Sequence, residues 1–137
     1  MKHTARLLHH VLAAVVLTVT AVIATAAGQD GARIEFDSRS YDFGVIHESA
    51  GPVSTTFRYT NTGTAPLVIV SARASCGCTR PVYKTEPLKP GKSATIKVTF
   101  NPAGRPGEFT KTVTVRTNAK NGKKINLKLK GNVIPKE

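Results

Sequence analysis

Both cysteines of the chain fall in one stretch, Ser75-Cys76-Gly77-Cys78-Thr79, with a single glycine between them. Three kinds of chemistry are open to two thiols at that spacing. In an extended chain two residues rise about 6.6 Å, close to the roughly 6.8 Å upper limit for the Cα separation of a disulfide, so a bend at Gly77 would bring the sulfurs into bonding range. Such a bond would be a local clasp; its ring is so small that closing it removes little chain entropy. Alternatively, Arg73 and Arg80 flank the pair and favour a thiolate, which suits thiol–disulfide exchange. Finally, two thiolates suit Cu(I), which makes Cys76 and Cys78 candidate ligands for that ion.

Other chemistry lacks its parts. A structural zinc site wants four ligands, whereas beyond the leader described below the chain offers Cys76, Cys78 and the single histidine His47. His47 is read as an exposed residue at a strand end. Asp37, Asp42, Glu48, Glu86 and Glu108 are isolated, with no paired carboxylates, and there is no Gly-x-Ser-x-Gly turn. Asp42-Phe43-Gly44 spells a magnesium-binding triplet of protein kinases but comes without a glycine-rich phosphate loop or a catalytic-loop motif. Here Phe43 is expected to enter a core and Gly44 to permit a bend or close strand approach. No catalytic residue, no cofactor and no enzymatic activity are expected.

The thiols belong to a chain that begins with a basic lead, Met1 to His10, and an apolar run from Val11 to Ile23. Ala24-Thr25-Ala26 then gives the small-x-small pattern of a signal-peptidase site, so residues 1–26 read as a cleaved secretory signal. The run is short and Ala-rich for a membrane span, and no cysteine follows it before Cys76 to carry a lipid anchor. The expected location is the bacterial periplasm or exterior, an oxidising space, with no stable membrane insertion after cleavage. Loss of Lys2 and Arg6 with the leader leaves 18 basic against 8 acidic residues, a formal charge of +10. That excess favours a protein partner or an anionic cell-envelope surface. Nucleic acid is not expected, because Trp is absent and no helix or aromatic platform accompanies the bases.

From Arg33 onward apolar residues recur every second position. Val53, Thr55, Phe57 and Tyr59 alternate with Ser54, Thr56, Arg58 and Thr60; Ala94, Ile96, Val98 and Phe100 repeat the pattern, as do Ile125, Leu127 and Leu129 against Asn126, Lys128 and Lys130. Phe109 to Val115 is rich in β-branched residues, and Leu67 to Val70 is apolar in both phases, as in a strand covered on both sides. Turn-forming clusters separate these runs at Asn61 to Gly63, Lys89 to Lys92, Asn101 to Gly104 and Asn118 to Gly122, the last suited to a tight hairpin with positive φ. With Arg33 to Phe36, Tyr41 to Ile46 and Pro81 to Tyr83 the pattern gives about seven or eight strands. The expected fold is all-β: an immunoglobulin-like β-sandwich over residues 33–134, joined by a short linker at 27–32 to the signal peptide. The cysteines lie too close together, and Trp is missing, for a strict immunoglobulin domain.

The ordered motifs Tyr41-Asp42-Phe43-Gly44-Val45-Ile46, Phe57 to Gly63, Pro66 to Ile69, Ser75 to Thr79, Pro90 to Ser93 and Phe100-Asn101-Pro102 resemble the bacterial domain-of-unknown-function 1573 family. The resemblance runs from about Arg33 to Val133. It implies an exported sandwich similar to major sperm protein and Hydin-type domains, and it implies no established activity. Taken together, the residues and the resemblance point to a non-enzymatic interaction or scaffolding module, with a periplasmic thiol-redox or Cu(I)-binding protein as the competing reading.

Overall fold

The computed structural model describes residues 31–137, so the expected signal peptide and most of the expected linker lie outside the described residues. Eight strands form: β1 (Ile34–Phe36), β2 (Ser40–His47), β3 (Val53–Asn61), β4 (Ile69–Ala74), β5 (Thr79–Val82), β6 (Ser93–Phe100), β7 (Gly107–Thr117) and β8 (Lys124–Ile134), with one 3-10 turn at Glu48–Ala50. They make two four-stranded sheets, ordered β1-β3-β6-β5 and β2-β8-β7-β4. All pairings are antiparallel except that of β2 with β8. The immunoglobulin-like sandwich expected from the alternation is the fold observed.

Alternation sets the core. Phe57, Tyr59, Ile96 and Val98 of the first sheet face Val113, Val115, Leu127 and Leu129 of the second, and all eight are buried. Sealing a side chain such as Phe57 or Leu127 from water contributes roughly 2–3 kcal/mol. The intervening Arg58, Lys97, Asn126 and Lys128 are exposed on the outer faces. A smaller apolar group closes one end of the sandwich: Ile46, Cys78, Phe100 and Val133 are buried there, with Phe43, Val53, Cys76 and Phe109 around them. The Phe100 and Phe109 rings stack at 4.1 Å.

Two irregularities keep the phase. Phe43 and Ile46 are three residues apart, so strict alternation would send one of them outward. A register shift between Asp42 and Val45 turns both toward the core. Gly44 supplies the required left-handed conformation at φ 66°, and its N–H donates to Asp42 Oδ1 at 2.8 Å. A second shift, between Ile69 and Ser71, corrects the reading of Leu67 to Val70. Leu67 and Ile69 are buried, but Val70 is 64% exposed, because β4 lies at a sheet edge and has no covering layer on its outer face.

The turn between β7 and β8 also differs from the expected tight hairpin. Gly122 does not have positive φ. Glycine is required there by packing: a Cβ would come within 2.7 Å of both Ile125 and Ile34. The loop spans the gap to β1 through Asn121, whose side chain accepts from Ile34 N–H and donates to Ile34 C=O, both at 2.9 Å, as a neighbouring strand would. Asn61 plays a similar part at the end of β3. It is fully buried, its amide nitrogen donates to Ala65 and Leu88 carbonyls at 2.8 and 2.9 Å, and its oxygen accepts from the N–H groups of Gly63 and Arg33.

At the end near the 3-10 turn, Glu48 accepts from Lys136 N–H at 3.0 Å and from Gly104 N–H at 2.8 Å. These two backbone donors, Lys136 first, hold its carboxyl below the usual carboxylate range.

Two expectations follow. Asn61→Ala removes the side-chain donor to Ala65 C=O and the acceptor for the Gly63 and Arg33 N–H groups, while Leu88 C=O keeps its bond from Leu67 N–H, and is expected to lower unfolding free energy by about 3 kcal/mol in urea titrations. The Glu48 tie is fully present above the ordinary carboxylate pKa and lost as pH falls through its lowered folded value. Unfolding midpoints of wild type and Glu48→Gln, measured from neutral down to about pH 3, should therefore differ most at neutral pH and converge in acid.

Candidate functional site

Cys76 and Cys78 lie in the connection that carries the chain from β4 in one sheet to β5 in the other. They form a disulfide, with Cα atoms 5.3 Å apart. The segment turns tightly, Thr79 N–H reaching Cys76 C=O at 3.4 Å. Gly77 makes this bend without positive φ and with open space where a Cβ would stand, so the pair closes without the special backbone freedom that its glycine suggested.

The bridge is seated from several sides. Ser75 N–H donates to Thr112 C=O at 2.8 Å and Ser75 Oγ accepts from Thr112 N–H at 3.2 Å, tying the approach to β7. Asn101 N–H donates to Cys78 C=O at 2.9 Å, tying the exit to the end of β6. Thr79 Oγ1 sits 3.6 Å from each sulfur. Cys78 is only 6% exposed and packs with Ile46, Phe100 and Val133, while Cys76 is half-buried at the rim of the same apolar group. The disulfide thus plugs the end of the sandwich as well as tying the crossover.

The other residues singled out in the sequence are dispersed around this plug. His47 is exposed as the last residue of β2, beside Ile46 in sequence but in a shallow surface depression with Ser49, Pro135 and Lys136. Arg73 and Arg80 are exposed on β4 and β5. Asp42 forms an exposed ion pair with Lys130 at 3.7 Å. Among the described residues no three His, Cys, Asp or Glu side chains converge, and no helix is long and apolar enough to cross a membrane.

A feature that the alternation did not reveal is where the remaining apolar surface lies. Tyr41 (44% exposed), Val45 (65%), Val70 and Val82 (54%) are the exposed large apolar side chains among the described residues, and all four stand on edge strands: β2, β4 and β5. Sequence alone could not single them out, because a strand's position at an edge depends on pairings made far along the chain. Tyr41 pairs with the buried Leu129 and so lies on the inward row, its ring 4.9 Å from that of Phe43; β2 leaves it open at the sheet's rim.

A family model described as "Protein of unknown function (DUF1573)" matches residues 34–133. No curated protein matches the sequence. Among solved structures the chain is similar to a protein of unknown function from Porphyromonas gingivalis W83, with TM-score 0.67 and 16% identity over 81% of this chain and 51% of that one. The chain therefore spans about half the length of that protein. It is also similar to the ASH / PapD-like domain 7 of human CEP192, with TM-score 0.57 and 17% identity over 77% of this chain and 87% of that one. The E. coli chaperone DraB gives TM-score 0.51 and 12% identity over 76% and 56%. At these identities the likeness is one of fold.

If the bridge is a structural plug, replacing both cysteines by alanine should leave the fold intact and lower its stability by about 2 kcal/mol. The intact oxidised protein should resist thiol alkylation under mild reduction, read as an unchanged mass. Ready reduction and labelling in the folded state, or stoichiometric Cu(I) retention by the reduced protein, would instead assign the pair an active role.

Proposed function

The chain belongs to the DUF1573 family, and from that membership and the PapD-like sandwich we propose that it is an exported, non-enzymatic interaction module that receives an extended segment of a partner protein along the free edge of β2. The observation that carries this reading is the confinement of the exposed large apolar side chains to edge strands. An edge strand offers unpaired N–H and C=O groups to an incoming strand, which supply affinity, while alternate side-chain pockets supply selectivity.

Of the four edges β2 is the best suited. β1 has three residues, and β5 has four, one of them Pro81, which has no N–H to donate. β4 carries the Arg73 cation and a single exposed apolar residue. β2 is eight residues long and carries two such residues, one on each face: Tyr41 on the inward row and Val45, opposite Asn132, on the outward row. A strand laid beside β2 with apolar residues at alternate positions would cover Tyr41 and extend the core by one row. The signal sequence and the basic charge support a setting in the bacterial envelope.

The burial of Cys78 supports the clasp over the redox or Cu(I) reading, because attack at its sulfur needs access and copper capture needs both thiolates free.

The test places a photoreactive amino acid at Tyr41 or Val45 and, as controls, at Thr56 or Thr95 on the central strands, in the producing bacterium. The expected result is one discrete cross-linked envelope protein from the β2 positions alone. That adduct should be lost when Val45→Asp is combined with the probe at Tyr41, and its copy of this chain should begin at Ala27. Cross-links that are equal from β2 and the central strands, or absent from β2, would overturn the edge reading.

A further inference from the structure

The outer face of the sheet β2-β8-β7-β4 has a charge distribution that the edge reading does not use. At one end, Arg116 on β7 is paired directly opposite Lys124 on β8, and Arg73 lies diagonally across on β4, which pairs through Ser71 with Arg116 and through Arg73 with Thr114. Directly opposed residues bring their Cβ atoms to about 5 Å, where like charges repel. No carboxylate relieves them: the one ion pair among the described residues is that of Asp42 with Lys130. The acids of this face, Asp42 and Glu108, border a different depression at its other end, with Lys130. Along β8 the six-residue step from Lys124 to Lys130 separates the two ends by roughly 20 Å.

The basic end is concave. A trough of about 260 Å³ between β4 and β7 is lined by Arg73, Arg116 and Lys124 together with the hydroxyl residues Ser71, Ser75, Thr112 and Thr114. Ser75 Oγ already accepts from Thr112 N–H, which leaves its O–H to donate outward. Thr114 Oγ1 donates to Asn126, which leaves its lone pairs to accept. The trough therefore presents three cations over a floor able both to donate to and to accept from neutral hydroxyls. It has no aromatic ring on which a nucleobase could stack and no exposed large apolar side chain to enter a bilayer.

We propose that this trough binds an acidic polysaccharide, a sugar chain bearing carboxylate or sulfate groups. The anionic groups would bridge Arg116, Lys124 and Arg73 and remove their mutual repulsion, while ring hydroxyls meet the Ser and Thr side chains. The site lies toward the β4 edge of the sheet, the edge opposite β2, and stands independently of the edge reading.

Retention of the purified chain on immobilised polygalacturonate and on dextran sulfate, with neutral dextran, poly-Glu and phosphatidylglycerol vesicles as comparisons, tests this. The triple variant R73S/R116S/K124S is expected to lose roughly tenfold or more in affinity for the acidic glycans, with a shallower salt dependence. R58S/K84S/K97S, which removes the same charge from β3, from β6 and from the loop after β5, should change it less than about twofold. Thermal melts of both variants establish that each is folded, and removal of the Arg116–Lys124 repulsion should leave the first no less stable than wild type. Equal losses from the two triple variants would reduce the effect to net charge and overturn the proposal. So would preference for vesicles or poly-Glu over both glycans, or no retention of wild type on either glycan.

Discussion

The structure depends on one requirement of phase: each strand must turn its apolar row toward a core shared by two sheets while the chain crosses repeatedly between them. Phe57, Tyr59, Ile96 and Val98 meet Val113, Val115, Leu127 and Leu129 because a two-residue period sends every second side chain the same way. A one-residue slip would turn a whole row to solvent. The chain tolerates two departures from the period and absorbs both in edge strands, at the Asp42/Val45 and Ile69/Ser71 shifts, where a single ladder is disturbed. The first of these keeps Phe43 and Ile46 together on the apolar group that also receives the disulfide.

That placement gives the Cys76–Cys78 bridge its physical meaning. It stands where the chain leaves one sheet for the other, held by Thr112 on one side and Asn101 on the other, with Cys78 packed against Phe100 and Val133. A pair two residues apart constrains the unfolded chain little, so its worth lies in the folded end cap it completes. The same packing shields Cys78 from solvent and leaves Cys76 at the rim, while the concentrated basic and exposed apolar surfaces lie elsewhere, on the outer face of β4-β7-β8 and along β2.

Much of this was legible in the sequence, and what was not has a common cause. β3, β6 and β8 could be read from alternation because their side chains report directly on inside and outside, and β7 from its run of β-branched residues. The turn clusters were legible because Gly, Pro and Asn act locally. Leu67 to Val70 was misleading, since an apolar run in both phases looks the same whether its second face is covered or, like Val70, left at an edge. Gly122 was read as a hairpin residue, yet its constraint comes from the packing of Ile125 and of Ile34, the second far away in the chain. Asn61 and Asn121 act as surrogate backbone for segments brought beside them only by folding, and the parallel pairing of β2 with β8 joins opposite ends of the domain. The cysteine pair was legible as chemistry, but its seat against Phe100 and Val133 depends on packing that spacing does not encode.

The account's central claim is that the sandwich is closed by its own core and disulfide while β2 remains an open edge. Residue-resolved amide hydrogen exchange on the purified chain tests it most directly. The account expects the amides of Phe57, Val98, Val113 and Leu127 to exchange only through global unfolding, and those β2 amides that point away from β8 to exchange orders of magnitude faster. Protection along the outer edge of β2 equal to that of the central strands would contradict it, since some part of the chain would then already occupy the place assigned to a partner.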